Sequence, residues 1–184
     1  MIKPYIVKKD VLKFMGKCNR IEKSENVGEA IGSLFEQMGE IFGRIKNPID
    51  EKFYGITVNF ANASKNSIRS YWLCKEVESL WHDHETGKWE SLETGMETLL
   101  LPAARWVYIP VRYDDPFVKS LAPKECQEDP SQLTNYIYRW AHQWIKDHGY
   151  TPQDFPVELE IYGLHDGYEG IEGGANITLA LPII

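Results

Sequence analysis

What most narrows the fold of this chain is the run Val157-Glu158-Leu159-Glu160-Ile161-Tyr162, in which apolar and polar residues alternate with a period of two. It comes shortly after a segment that carries Trp140 and Trp144 at helical spacing. In an extended strand the alternation sends Val157, Leu159 and Ile161 to one face and Glu158, Glu160 and Tyr162 to the other. One face therefore builds a core, and the other can line a site. A carboxylate covered by aromatic side chains loses hydration and needs a cation or hydrogen-bond donors to stay ionised, so the pattern points to cation binding or acid-base chemistry.

The rest of the chain predicts strands and helices in a repeating order. Tyr5 to Ile21 reads as one long half-exposed strand with Gly16 as a bulge or kink. Asn26 is placed to cap a helix from Val27, where Ala30, Ile31, Leu34, Phe35, Met38, Ile41, Phe42 and Ile45 form an apolar stripe that ends before Asn47-Pro48. Phe53 to Phe60 and Ser70 to Val77 follow as strands joined by a turn-like stretch, 61–66. Leu80 to Gly95 is polar and reads as an insertion, after which Thr98 to Val111 is a long apolar stretch interrupted at Pro102. An acidic linker from Asp114 to Pro130 leads into a second helix, about Gln132 to His148, stopped by Gly149. Strands near Val157 to Gly163 and Asn176 to Leu181 close the chain, joined by a loop rich in Gly and acids. The order is strand, helix, strand, strand, stated twice, which implies two matching halves of about 1–79 and 96–184 within a single domain.

Charge and motif content exclude several functions. A chain of 184 residues with a formal net charge of -7 has no concentrated basic face with which to hold nucleic acid by its phosphates. No segment approaches the roughly 20 apolar residues of a membrane span, and the first residues lack the apolar run of a signal peptide. The three cysteines, Cys18, Cys74 and Cys126, are too far apart for a CxxC metal pair, and an odd number cannot all pair internally, so a reduced, cytoplasmic setting is expected. His82-Asp83-His84 is the one metal-like cluster; without a placed third and fourth ligand it reads as a solvated loop, and no metal is expected. Walker, dinucleotide-turn and nucleophile-elbow motifs are absent, so no cofactor is expected either.

Four segments in order carry a family resemblance. Leu101-Pro102-Ala103-Ala104-Arg105-Trp106-Val107-Tyr108, Tyr138-Arg139-Trp140-Ala141-His142-Gln143-Trp144-Ile145 ending at Gly149-Tyr150, Glu160-Ile161-Tyr162, and Ile177-Thr178-Leu179-Ala180-Leu181-Pro182-Ile183 resemble the GyrI-like small-molecule-binding domain. The same domain serves as the effector-binding half of AraC-type and MerR-type regulators. The resemblance implies an α+β fold of SH2-like tandem βαββ units related by a pseudo-two-fold axis. It further implies a curved antiparallel sheet, two main helices on one side, and a central groove lined by aromatics that opens on the other side. It also implies that a groove Glu, here Glu160, faces lipophilic cationic or aromatic ligands. Some stand-alone members resemble hydrolases that open strained cyclopropane rings, which would make Glu160 catalytic, and gyrase-inhibiting relatives make a gyrase interaction a third reading. Because the chain begins in the first strand, with no helix-turn-helix segment, it reads as a stand-alone member, a monomer or homodimer. Two departures stand out: Ala104 occupies a position that is commonly Gly in the family, and the insertion at 80–95 is long.

The candidate ligand-binding residues are Glu160, Tyr162, Trp106, Tyr108, Tyr71, Tyr54 and Trp140. Each has a plainer reading. Glu160 can be a solvated strand carboxylate, and Glu158 on the same face is taken as surface. Trp106 and Tyr108 alternate with Val107 and Ile109 and so should project away from the helix-packed core, where they line either a cleft or an ordinary core. Trp140 and Trp144 lie on a stripe that first of all packs on the sheet. Tyr71 and Trp72 face opposite ways, so at most one joins a site, and Tyr71 is preferred. An aromatic wall attracts planar cations by about 0.5 to 2 kcal/mol per contact, and a desolvated carboxylate rejects neutral and anionic look-alikes.

Overall fold

A computed structural model describes residues 2–21, 27–59, 69–80, 95–163 and 176–184. Asn26, the turn at 61–66, His82-Asp83-His84 and the Gly- and acid-rich loop before Asn176 therefore lie outside the described residues, as does nearly all of the 80–95 segment.

The chain is α+β, and it forms two compact units that do not run consecutively along the sequence. Unit 1 comprises Met1–Lys9, Ala104–Asp154 and Glu160–Ile184; unit 2 comprises Asp10–Ala103 and Phe155–Leu159. The eight strands are β1 (Tyr5–Lys9), β2 (Leu12–Ile21), β3 (Phe53–Asn59), β4 (Arg69–Glu76), β5 (Glu97–Leu101), β6 (Ala104–Val111), β7 (Val157–Tyr162) and β8 (Ile177–Ile183). The helices are α1 (Val27–Glu36), α2 (Met38–Gly43), α3 (Pro116–Ser120) and α4 (Pro130–Asp147), with a 3-10 turn at Lys124–Cys126.

Three segments of the sequence are each divided in two. The long first strand is two strands, broken at Asp10 and Val11, and they pair in different units: β1 with β6, β2 with β4 and β5. The apolar stretch from Thr98 is likewise divided at Pro102-Ala103, since proline cannot donate to a ladder. The first helix breaks at Gln37, whose N–H bonds three residues back to Leu34 O at 3.1 Å and whose carbonyl starts the next helix by accepting from Ile41 N at 2.9 Å. Gly32, Gly39 and Gly43 weaken helix propensity around that break.

Within unit 2 the strand order is β3-β4-β2-β5, all antiparallel. The helices α1 and α2 cover one face, where Leu34, Ile41, Ile45, Tyr71, Leu73 and Met96 are buried together. Asn19 ties β2 to α1, donating from Nδ2 to Ala30 O at 2.7 Å and to Ser33 Oγ at 3.1 Å. Gly16 is required where β2 passes β4: a Cβ there would lie 2.1 Å from Leu73 O and 2.5 Å from the Cβ of Cys74. The predicted bulge or kink is instead a close approach with regular pairing, Gly16 opposite Cys74.

Within unit 1 the order is β1-β6-β8 and then the second half of β7, residues 160–162. Val107, Ile109 and Val111 of β6 and Ile177, Leu179, Leu181 and Ile183 of β8 turn one face toward α4, meeting Leu133, Ile137, Ala141 and Ile145. The period of two in the strands and of 3.6 in the helix bring these two apolar stripes together. Asp129 caps α4 by accepting from Ser131 N and Gln132 N, and Pro130 occupies its first turn. Its end is a Schellman turn: Gly149, at φ +75°, donates to Lys146 O, and Tyr150 donates to Ile145 O, each at 3.0 Å. The acidic stretch read as a linker contains α3, capped by Asp115, whose Oδ1 accepts from Phe117 N at 2.7 Å.

Candidate functional site

Strand β7 places the Glu160 and Tyr162 side chains on one face, and the two meet. The Tyr162 hydroxyl donates to Glu160 Oε2 at 2.9 Å, and both side chains are half-buried. Tyr162 also packs against the α4-covered cluster that contains Val107, Ile109 and Ile137. Glu160 therefore shares the helix side of unit 1, while Val157, Leu159 and Ile161, all buried, take the opposite face.

A further phenol on the helix side of unit 1, Tyr113, is absent from the sequence-derived candidates. Tyr113 follows β6 directly and packs on the same helix-side cluster. Its phenol oxygen lies 2.9 Å from Thr134 Oγ1, and Thr134 in turn donates to Pro130 O at 2.8 Å. The backbone N–H of Tyr113 donates to Asn176 Oδ1 at 2.9 Å, which fixes the residue against the start of β8. Burial pushes the Tyr113 phenol above its ordinary pKa, the Thr134 hydrogen bond works against that shift, and the negative field of Glu160 adds to it. The Tyr113 phenol thus remains neutral at physiological pH within the field of Glu160.

The other candidates divide by strand parity. Trp106 is fully buried and Tyr108 nearly so, on the face of β6 opposite Val107 and Ile109 as the alternation predicts, and Tyr108 stacks at a tilt on Tyr5 with centroids 5.7 Å apart. They do not share a face with Glu160 and Tyr162. Trp140 lies at the margin of the α4 stripe, edge-on to Phe117 of α3 at 5.7 Å. The stripe itself is centred one step round the helix from the sequence reading, with Thr134 and Tyr138 buried and Trp140 and Trp144 only partly so.

In unit 2, Tyr71 is buried against α1 and α2, whereas Tyr54 faces the other way, 4.9 Å edge-on from Phe14. The Tyr54 hydroxyl donates to Glu76 Oε2 at 3.0 Å, a second phenol–carboxylate pair. Trp72 donates from Nε1 to Ser70 Oγ at 3.2 Å.

Thiolate chemistry is not favoured at Cys18 or Cys74. Burial, helped by Glu97, lifts the Cys18 thiol to about 11, and burial raises Cys74 well above the thiol range, so neither is a thiolate at neutral pH. Among the described residues, no group of three His, Cys, Asp or Glu side chains is disposed to hold a metal ion, and no helix is long and apolar enough to cross a membrane.

No family model matches the sequence, and no curated protein matches it. Solved structures do. SAV2435, solved bound to tetraphenylphosphonium, superposes with a TM-score of 0.61 at 11% identity, over 99% of this chain and 94% of that one. A putative transcription regulation protein of Staphylococcus aureus MU50 gives 0.60 at 12% identity, over 98% and 97%. The C-terminal domain of EcmrR gives 0.56 at 12% identity, over 100% and 98%. The fold of the chain is GyrI-like, as the four sequence segments imply.

Proposed function

We propose that this chain binds lipophilic small molecules and that the Glu160 carboxylate is the anchor for those that are cationic. The observation that carries the reading is the Tyr162–Glu160 bond on a helix-covered, aromatic face of unit 1. A half-buried carboxylate has given up part of its hydration and stays negatively charged where water screens it less. A cation brought to such a group recovers electrostatic stabilisation that bulk water would screen, and the neighbouring rings add stacking and cation-π attraction. Few, well-placed polar groups among apolar and aromatic ones are what a small-molecule site needs. Likeness in fold to a protein solved with tetraphenylphosphonium supports the same reading.

Tetraphenylphosphonium is accordingly the first probe. Titrated into the protein and followed through the six tryptophans, it should bind saturably, and Glu160→Gln should weaken it by about tenfold while leaving the fold intact. Equal affinity in the wild type and in Glu160→Gln, with unchanged unfolding curves, would remove the carboxylate from the site.

A further inference from the structure

Resting on that reading, we infer that Tyr113 makes the site selective for cations that carry an N–H donor, such as protonated amines, over onium ions that have none. Thr134 has one hydroxyl hydrogen. It is directed to Pro130 O, 2.8 Å away, so the 2.9 Å contact between Tyr113 and Thr134 is satisfied at the same time only if Tyr113 is the donor there. The Tyr113 hydroxyl has then committed its one hydrogen and offers only lone pairs to anything else.

Tyr162 is committed in the complementary sense, with its hydrogen on Glu160 Oε2. The two phenols are therefore not equivalent: Tyr162 supports the carboxylate as a donor, and Tyr113 adds an acceptor on the same helix-side cluster. Tyr113, just beyond the end of β6, is held to Asn176 at the start of β8, the strand that lies between β6 and β7, and the field of Glu160 reaches its phenol. A carboxylate joined by a neutral acceptor suits a ligand that presents positive charge together with hydrogen-bond donors. An onium ion satisfies the charge but leaves the Tyr113 oxygen desolvated and without a donor, which works against its binding. Thr134 acts as a positioning residue, since it sets the direction of the Tyr113 hydrogen without touching ligand.

The test compares two probes by calorimetry: protonated 1-naphthylmethylamine, whose three N–H groups can serve the carboxylate and the Tyr113 oxygen together, and its trimethylammonium counterpart, which has none. The wild type should bind the N–H cation more tightly, with about tenfold of that preference due to Tyr113, the size of effect expected for a hydrogen bond to a charged donor. Tyr113→Phe should lower the ratio about tenfold by weakening the N–H cation alone. Thr134→Val, which frees the Tyr113 hydrogen, should shrink the ratio in the same way and decides the matter if Tyr113→Phe does not fold. A wild-type ratio near one, or a ratio that survives both substitutions, overturns the role of Tyr113. If both probes bind equally and both weaken in Glu160→Gln, that role alone is lost; if neither probe binds, the Glu160 reading falls with it.

Discussion

The two units each contain a tyrosine hydroxyl bonded to a glutamate, at 2.9 Å for Tyr162 and Glu160 and at 3.0 Å for Tyr54 and Glu76, yet the pairs are built differently. In unit 1 both residues come from one strand, two apart, and face a helix together with a second phenol, Tyr113. In unit 2 the pair spans neighbouring strands, because Tyr54 lies opposite Cys74 and Glu76 is two residues further on. Tyr54 lies against Phe14, and the face covered by α1 and α2 is the other one. An identical bond thus acquires a different meaning from its surroundings. On the helix side that Glu160 shares there is a second phenol whose hydrogen is already used, whereas the ring beside Tyr54 is a phenylalanine that only packs.

The largest expected difference between the units is in what a core deletion does. Ile137→Ala and Leu73→Ala each remove a fully buried aliphatic side chain and should cost about 2–5 kcal/mol in urea unfolding. Only Ile137→Ala, in the buried cluster against which Tyr113 and Tyr162 pack, should also loosen ligand binding measured well below the transition. Equal binding losses in the two variants would break the asymmetry.

Next comes the charge itself: Glu76→Gln should change tetraphenylphosphonium affinity by less than about twofold, against about tenfold for Glu160→Gln. Smaller again, Tyr54→Phe and Tyr162→Phe should each lose about 1 kcal/mol of stability, the net worth of one hydrogen bond, with Tyr162→Phe alone altering affinity. Chemical denaturation beside titration calorimetry separates the two readouts.

The smallest effect sharpens a second contrast, between the capped α4 and the broken α1–α2 pair. Hydrogen bonds from Ser131 first, and then from Gln132, hold the Asp129 carboxyl below its usual range. Because its folded value is lowered, the stability it contributes is complete above the unfolded pKa of about 3.9 and is lost as the pH falls through the folded value. Unfolding curves at mildly and strongly acidic pH should therefore show a slope that Asp129→Asn, which keeps an acceptor, reduces. Gln37, which begins α2 without a side-chain cap bond, should contribute no such slope.

Much of this arrangement was legible in the residues. Local period sufficed for β7, for α4 and for the parity that separates Trp106 from Val107, because each depends on neighbours a few positions away. The break at Gln37 is not legible, since the apolar stripe from Leu34 and Phe35 carries on to Met38 and Ile41, and the charged run Lys8-Lys9-Asp10 reads equally well as the exposed part of one long strand, so only helix geometry and strand pairing reveal the two interruptions. Tyr113 was missed for an instructive reason. It continues the odd-numbered series 107, 109 and 111 beyond the end of β6, so extending the parity by one step would have placed it on the helix side, but the following Asp114 and Asp115 made the segment look like linker. The pairing of Tyr54 with Glu76 depended on register across two strands, which the separate segments do not encode.

The pairing of β1 with β6 has a consequence for how the chain is made. Tyr5 meets Tyr108, a partner about a hundred residues downstream, and such distant pairings are the slow ones to form. Most of unit 2, Asp10–Ala103, is synthesised between β1 and β6, so β1 stays without its ladder partner until β6 has followed that unit out of the ribosome.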